Sequence, residues 1–248
     1  MPENPGLSAH PAREAVTVWA VVLGLLGLFK YGLAPVLPYG GSITGALAVA
    51  AFLWVPSYVN RRCGREDPDY GLTLAHWPRD VLFALGVMAL VFPPFVAVFR
   101  AFLYANDHWI PRNVASWIAP YGLSRGFHWR LPGDLLDVVG GNIAVALGEE
   151  FFYRGYLLDR LSQAFPATAK LLGQPFGRAA LLETALFATG HLLTPAFFRL
   201  GTFFPGLLFT WMALRAKGVL PSAIVHAGSN ILIATLEASA FGVGGHLR

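Results

Sequence analysis

Six polar residues stand out in largely apolar stretches of this chain. They are Glu149, Glu150 and Arg154 in one stretch, His191 in a second, and His226 with Asn230 in a third. A carboxylate and an imidazole can hold a water between them and take its proton. A second imidazole and an amide N–H can donate to the oxyanion that develops on an attacked carbonyl. The set therefore suits hydrolysis of an acyl bond by an activated water, without a covalent intermediate. Serine chemistry is poorly served. Ser229 lies about 100° around a helix from Asn230 and three residues beyond His226, which leaves no obvious serine–base geometry. Carboxylate and imidazole are also good zinc ligands, and Glu149, His191 and His226 are the alternative zinc set. No compact H-E-x-x-H motif accompanies them.

Spacing separates the roles further. Glu150 and Arg154 are i, i+4 and share a helix face, so they can form an ion pair. Glu149 has no partner on its own face and needs one from another helix. Glu183, Phe187 and His191 follow at i, i+4 and i+8. Glu183 could thus stand near the same cavity, or near a span end as an interfacial acid, and no role is assigned to it. His226 and Asn230 again share a face. Each feature has a plain structural reading, as a charge cluster, a hydrogen-bonded histidine or an interhelical pair. A proton-coupled transporter is the main non-enzyme reading, since intramembrane Glu and His also build proton relays. A non-catalytic immunity or interaction protein is a further alternative.

The elements that must carry these residues follow from composition. Of 248 residues, 55% are hydrophobic and 13% charged. A soluble domain usually carries about 25% charged residues, so neither a soluble domain nor disorder fits. Apolar runs near 20 residues make spans. The expected spans are 15–37, 40–59, 81–99, about 135–158, a short one at 179–193, then 199–214 and 219–241. The third should kink near Pro93-Pro94. Residues 100–133, with Trp109, Trp117 and Trp129, read as a loop with one interfacial helix, and 159–177 as a basic connector. The expected fold is an all-α, polytopic transmembrane helical bundle. It has about seven spans (six to eight) and an active site in an intramembrane cavity.

One integral membrane domain is expected. It divides into a polar N-terminal tail (1–14), N-terminal transmembrane helices with the interfacial loop (15–133), and a catalytic transmembrane core (134–248). With seven spans and a cytoplasmic N-terminus, eleven Lys and Arg fall on the cytoplasmic side and six on the other, with Lys30 inside a span. Cys63 is the only cysteine, which excludes intramolecular disulfides and cysteine-rich metal sites. There is no basic cluster beyond Arg61, Arg62 and Arg65, so nucleic acid is not an expected partner. Abundant Ala, Leu, Gly and Arg suggest a bacterial inner membrane.

Three motifs carry a resemblance. Glu149-Glu150-x-x-x-Arg154, Phe187-x-x-x-His191 and His226-x-x-x-Asn230 resemble those of the CAAX protease and bacteriocin-processing family of intramembrane proteases. The stretch from Phe204-Pro205-Gly206 to Trp211 is similar to the family's segment between its second and third motifs. The resemblance covers roughly residues 140–235. It implies a helical membrane fold in which Glu149 and His191 activate water, and His226 and Asn230 stabilise the oxyanion. Glu150 and Arg154 would support the helix geometry. It implies a glutamic-type peptidase that requires no cofactor. The partners would be the lipid bilayer and a membrane-inserted or lipid-modified protein or peptide, such as one with a C-terminal anchor.

Overall fold

The computed structural model describes residues 10–62, 64, 66–111, 113, 114, 124 and 126–242. Trp117, Arg65, Arg112, Arg125, Arg248 and residues 1–9 of the expected tail lie outside these. So do residues 115–123 of the stretch 100–133 expected to be a loop with one interfacial helix.

Helix α1 (Pro11–Leu28) runs on through a π turn (Phe29–Leu33) and a 3-10 turn (Ala34–Val36). It begins inside the stretch read as tail. Pro11 suits a first helical turn, where its missing N–H is not needed. Glu14 in that turn pairs with the fully buried Arg160 (Nε–Oε1 3.1 Å) and accepts from the Tyr156 hydroxyl (3.1 Å). These contacts draw the start of α1 onto the body of the protein.

Helix α2 (Gly40–Arg62) ends on Arg61 and Arg62, which favour the negative end of the helix dipole. Helix α3 (Trp77–His108) holds both Pro93 and Pro94 and runs nine residues past the expected end at Phe99. Helix α4 begins at Leu135, changes to a π turn over Phe151–Leu157, and resumes as Leu158–Ala164. Helices α5 (Arg178–Gly190), α6 (Phe203–Ala216) and α7 (Leu220–Phe241) follow. Short 3-10 turns, His191–Leu193 and Phe197–Thr202, link α5 to α6.

The basic connector contains one feature that helical periodicity does not show, a hairpin of β1 (Ala169–Leu171) and β2 (Gln174–Phe176). Its two turn residues, Leu172 and Gly173, both have positive φ (47° and 83°). That is the geometry of a tight two-residue hairpin turn.

An all-α bundle is thus observed, apart from this hairpin. Four elements are long and apolar enough to cross a membrane: Pro11–Val36, Gly40–Arg62, Trp77–His108 and Leu220–Phe241. Helices α5 and α6 have 13 and 14 residues. At 1.5 Å per residue each measures about 20 Å, short of the ~30 Å hydrocarbon core. A count of seven spans therefore asks more of α5 and α6 than their lengths supply.

Helix α7 is central. Of its most apolar window 44% is buried, against 6% for α3. It packs along α4, α3 and α6, while α4 also packs on α2, and α5 on α6. The outward faces are apolar. Leu28, Val36, Trp54, Leu90, Leu136 and Phe204 are all exposed. In water such a surface would aggregate, whereas in lipid it is solvated. Trp109 and Trp129 are exposed near the expected boundary.

The π turn is the buried heart of the bundle. All seven of its residues are buried. Phe152 packs on Phe52 (ring centroids 4.9 Å) and Tyr153 on Phe187 (5.2 Å). Gly155 permits the closest approach, since a Cβ there would lie 2.7 Å from the Tyr70 carbonyl oxygen and 3.2 Å from Phe151. A backbone oxygen cannot swing aside. Gly155→Ala should destabilise the protein by about 1–3 kcal/mol. Gly140→Ala, with open space around its Cβ, should not. Thermal unfolding of both variants in detergent tests the contrast.

Candidate active site

The site forms where the π turn of α4 meets α5, α6 and α7. Glu149 and Glu150 are the last α-helical residues before the turn, and Arg154 lies within it. The wider π turn places Arg154 inward, where its side chain is fully buried. A guanidinium cannot stay charged in such a place without acceptors. It has two, and a second carboxylate as ion-pair partner. Nη1 donates to Glu150 Oε1 (2.9 Å), Nη2 donates to the Gly206 carbonyl (3.3 Å), and Nε lies 3.4 Å from Glu183 Oε1. The Phe187 ring covers it, 4.0 Å from Cζ to the centroid, a favourable cation–π placement.

The expected Glu150–Arg154 pair is therefore present, with more attached to it. Glu150 Oε1 also lies 2.9 Å from His226 Nδ1. An ionised carboxylate only accepts, so Nδ1 carries the proton. This leaves Nε2 facing Glu149, 3.7 Å from Oε2. The imidazole stacks on Phe209 (5.0 Å, 20°) and meets the edge of Phe187 (5.8 Å, 86°). The Glu150 carboxylate and two rings thus fix its orientation.

His191 lies just past the end of α5, in the 3-10 turn. Its Nδ1 is 2.9 Å from the Phe187 carbonyl. A carbonyl only accepts, so Nδ1–H donates and the Nε2 lone pair is left for other work. Phe187 touches both imidazoles, with its centroid 4.6 Å from that of His191. It is the wall between them. Asn230 sits one turn beyond His226 on α7 and is half-buried. No hydrogen bond joins its carboxamide to any of the five other residues named from the sequence, among the described residues. The structure thus brings Glu149, Glu150, Arg154 and His226 together. It reaches His191 through Phe187.

One residue without an assigned role proves central. Glu183 is fully buried. Its Oε2 accepts from Thr210 (2.6 Å) and lies 3.3 Å from the Thr184 hydroxyl. Its spacing to Phe187 and His191 places it on the face that meets Arg154. What spacing could not show is that Arg154 needs a second carboxylate. The Phe204-Pro205-Gly206 stretch finds its reason here too. A Cβ on Gly206 would lie 2.9 Å from Thr184 Cγ2, 3.1 Å from Phe187 and 3.2 Å from Arg154 Nη2.

Zinc would need Glu149, His191 and His226 to converge on one point at about 2.0–2.2 Å each. Among the described residues no three His, Cys, Asp or Glu side chains form such a group. His226 has Nδ1 bonded to Glu150, so Nε2 is the nitrogen that a metal would find.

The geometry makes Arg154 the keystone of the cluster. Arg154→Met leaves Glu150 and Glu183 buried without their cation and should cost about 3–5 kcal/mol. Adding Glu150→Gln and Glu183→Gln to it should recover part of that loss, since neutral groups are cheaper to bury. Thermal melts of the single and triple variants in detergent check both expectations.

Residues 131–232 match the family model described as type II CAAX prenyl endopeptidase Rce1-like. The matched segment contains every residue of the cluster from Glu149 to Asn230. Neither a curated protein nor a solved structure matches the chain. The match supports a peptidase, an endopeptidase working within the membrane, acting on a membrane-associated protein. Together with the apolar helices it supports an integral membrane protein. The apolar bundle and the ordered Glu-Glu-Arg, His and His-Asn motifs agree with that match: residues 131–232 are similar to the Rce1-like domain, consistent with the CAAX protease and bacteriocin-processing family.

Proposed function

We propose that this protein is a glutamic-type intramembrane endopeptidase. It hydrolyses a peptide bond in a membrane-inserted or lipid-modified protein, with Glu149 as the general base. One observation carries the reading. Glu149 Oε2 is buried with no hydrogen-bond partner among the described residues, and it faces His226 Nε2. A buried, unsatisfied carboxylate oxygen is costly unless it has work to do. Beside the His226 imidazole, that work is to hold and deprotonate a water.

The steps follow from which atoms are free. Water sits between Glu149 and His191 Nε2, whose lone pair is available because Nδ1–H donates to Phe187. Glu149 takes a proton as the water oxygen attacks the carbonyl carbon. The oxyanion receives hydrogen bonds from His226 and the Asn230 carboxamide. For His226 to donate from Nε2 it must be the imidazolium, since Nδ1–H already faces Glu150. The intermediate then collapses, the C–N bond breaks, and the proton on Glu149 passes to the leaving nitrogen. No metal is needed in these steps. The protein is proposed to lie in a bacterial inner membrane, with its N-terminus cytoplasmic on the excess of Lys and Arg there.

Glu149→Gln should lower kcat at least about 100-fold, with little change in thermal unfolding. His191→Ala should do the same. The assay is cleavage, in detergent, of an internally quenched peptide that carries a prenylated cysteine and three further C-terminal residues. A wild-type rate in either variant would overturn the roles of Glu149 and His191.

Activity should also survive a strong zinc chelator. Loss of cleavage that added zinc restores would replace this mechanism with a metal-dependent one. Proton-driven flux in proteoliposomes that Glu149→Gln abolishes, with no cleavage, would replace the peptidase by a transporter.

A further inference from the structure

Glu183 lies one helix away from the reacting groups and touches none of them. Yet it forms the outer end of an unbroken chain. Thr210 donates to it, Arg154 Nε stands 3.4 Å from it, Arg154 Nη1 donates to Glu150 Oε1, and that same oxygen meets His226 Nδ1. Every member from Glu183 to Glu150 has a fully buried side chain. Water therefore cannot stand in for a missing link, and a shift at one end is transmitted to the other.

The geometry has two consequences. A guanidinium has a planar fork, and Glu150 alone would leave it free to rotate about that one contact. Glu183 on the Nε side and the Gly206 carbonyl on Nη2 hold the plane, so Glu150 Oε1 has one place to be. Charge is the second consequence. Arg154 and Glu150 alone are neutral together. With Glu183 ionised the three carry one net negative charge, and the Thr210 and Thr184 hydroxyls and the Arg154 guanidinium stand beside it.

We propose that Glu183 is a positioning residue of the reaction, which acts through Arg154 and Glu150 to hold the His226 imidazole in its working orientation. This rests on the reading of His226 as a donor to the oxyanion.

The test uses the full chain in detergent with the prenylated quenched peptide, and compares wild type, Glu183→Gln and Glu183→Asp. Glu183→Gln keeps the size and an acceptor for Thr210 but removes the charge. Its kcat should fall about tenfold or more, with KM unchanged, as expected for a displaced catalytic group. Glu183→Asp should recover part of the loss. In protein with 15N-labelled histidine, the hydrogen-bonded Nδ1–H resonance of His226, assigned by its absence from a His226→Gln control, should move in Glu183→Gln and return towards wild type in Glu183→Asp. A lower melting temperature with unchanged kcat and an unmoved resonance would overturn the proposal and leave Glu183 a purely structural anchor. If wild type leaves the peptide uncut, the reading of the function falls by itself. The resonance then still decides for or against Glu183.

Discussion

A guanidinium buried in a membrane protein constrains everything around it. Arg154 has no water to solvate it, so each of its N–H groups must find a protein acceptor, and its charge needs carboxylates within reach. No single helix can supply all of these. Glu150 comes from α4, Glu183 from α5 and the Gly206 carbonyl from α6. Glu150 then reaches α7 through His226. Four helices are thus pinned to one side chain. A charge that would be a liability alone becomes the reference point from which the site is built.

The π turn gives that arrangement its shape. An α-helix offers i, i+4 neighbours on one face, which accounts for Glu150 and Arg154. The wider turn that follows buries seven consecutive residues, something a regular amphipathic helix does not do. Such turns are common at functional sites, where a helix must present side chains at angles that its ordinary period forbids. Here Phe152 and Tyr153 fill the space towards α2 and α5, and Gly155 lets the 67–70 turn press against the helix. Packing and chemistry share the same residues. Phe187 is the clearest case, since one ring covers Arg154, divides the two histidines and supports Tyr153.

Much of this is legible in the chain itself. A charged fraction of 13% and long apolar runs identify a membrane bundle, because lipid excludes charge and demands internally satisfied backbone. Rare polar residues within apolar stretches identify the site by the same cost. The first helix is harder. Residues 11–14 look like tail because they are polar, and only the contact of Glu14 with Arg160 and Tyr156 explains why they are helical. The 169–176 hairpin is invisible for a related reason. Its strands are three residues each, too short to show an alternation.

The amino-acid sequence by itself determined the solvent this chain folds in, the helices, and the local pair of Glu150 with Arg154. These depend on composition and on neighbours three or four residues apart, which helix geometry links directly. Only the tertiary structure decided the rest. It placed Glu183 on Arg154, faced His226 to both glutamates, and set Phe187 between the histidines. It also showed α5 and α6 to be too short to match the other spans. Contacts between residues tens of positions apart depend on how helices cross and rotate. A linear pattern fixes neither, because many packings satisfy the same apolar periodicity and only one satisfies the buried charge.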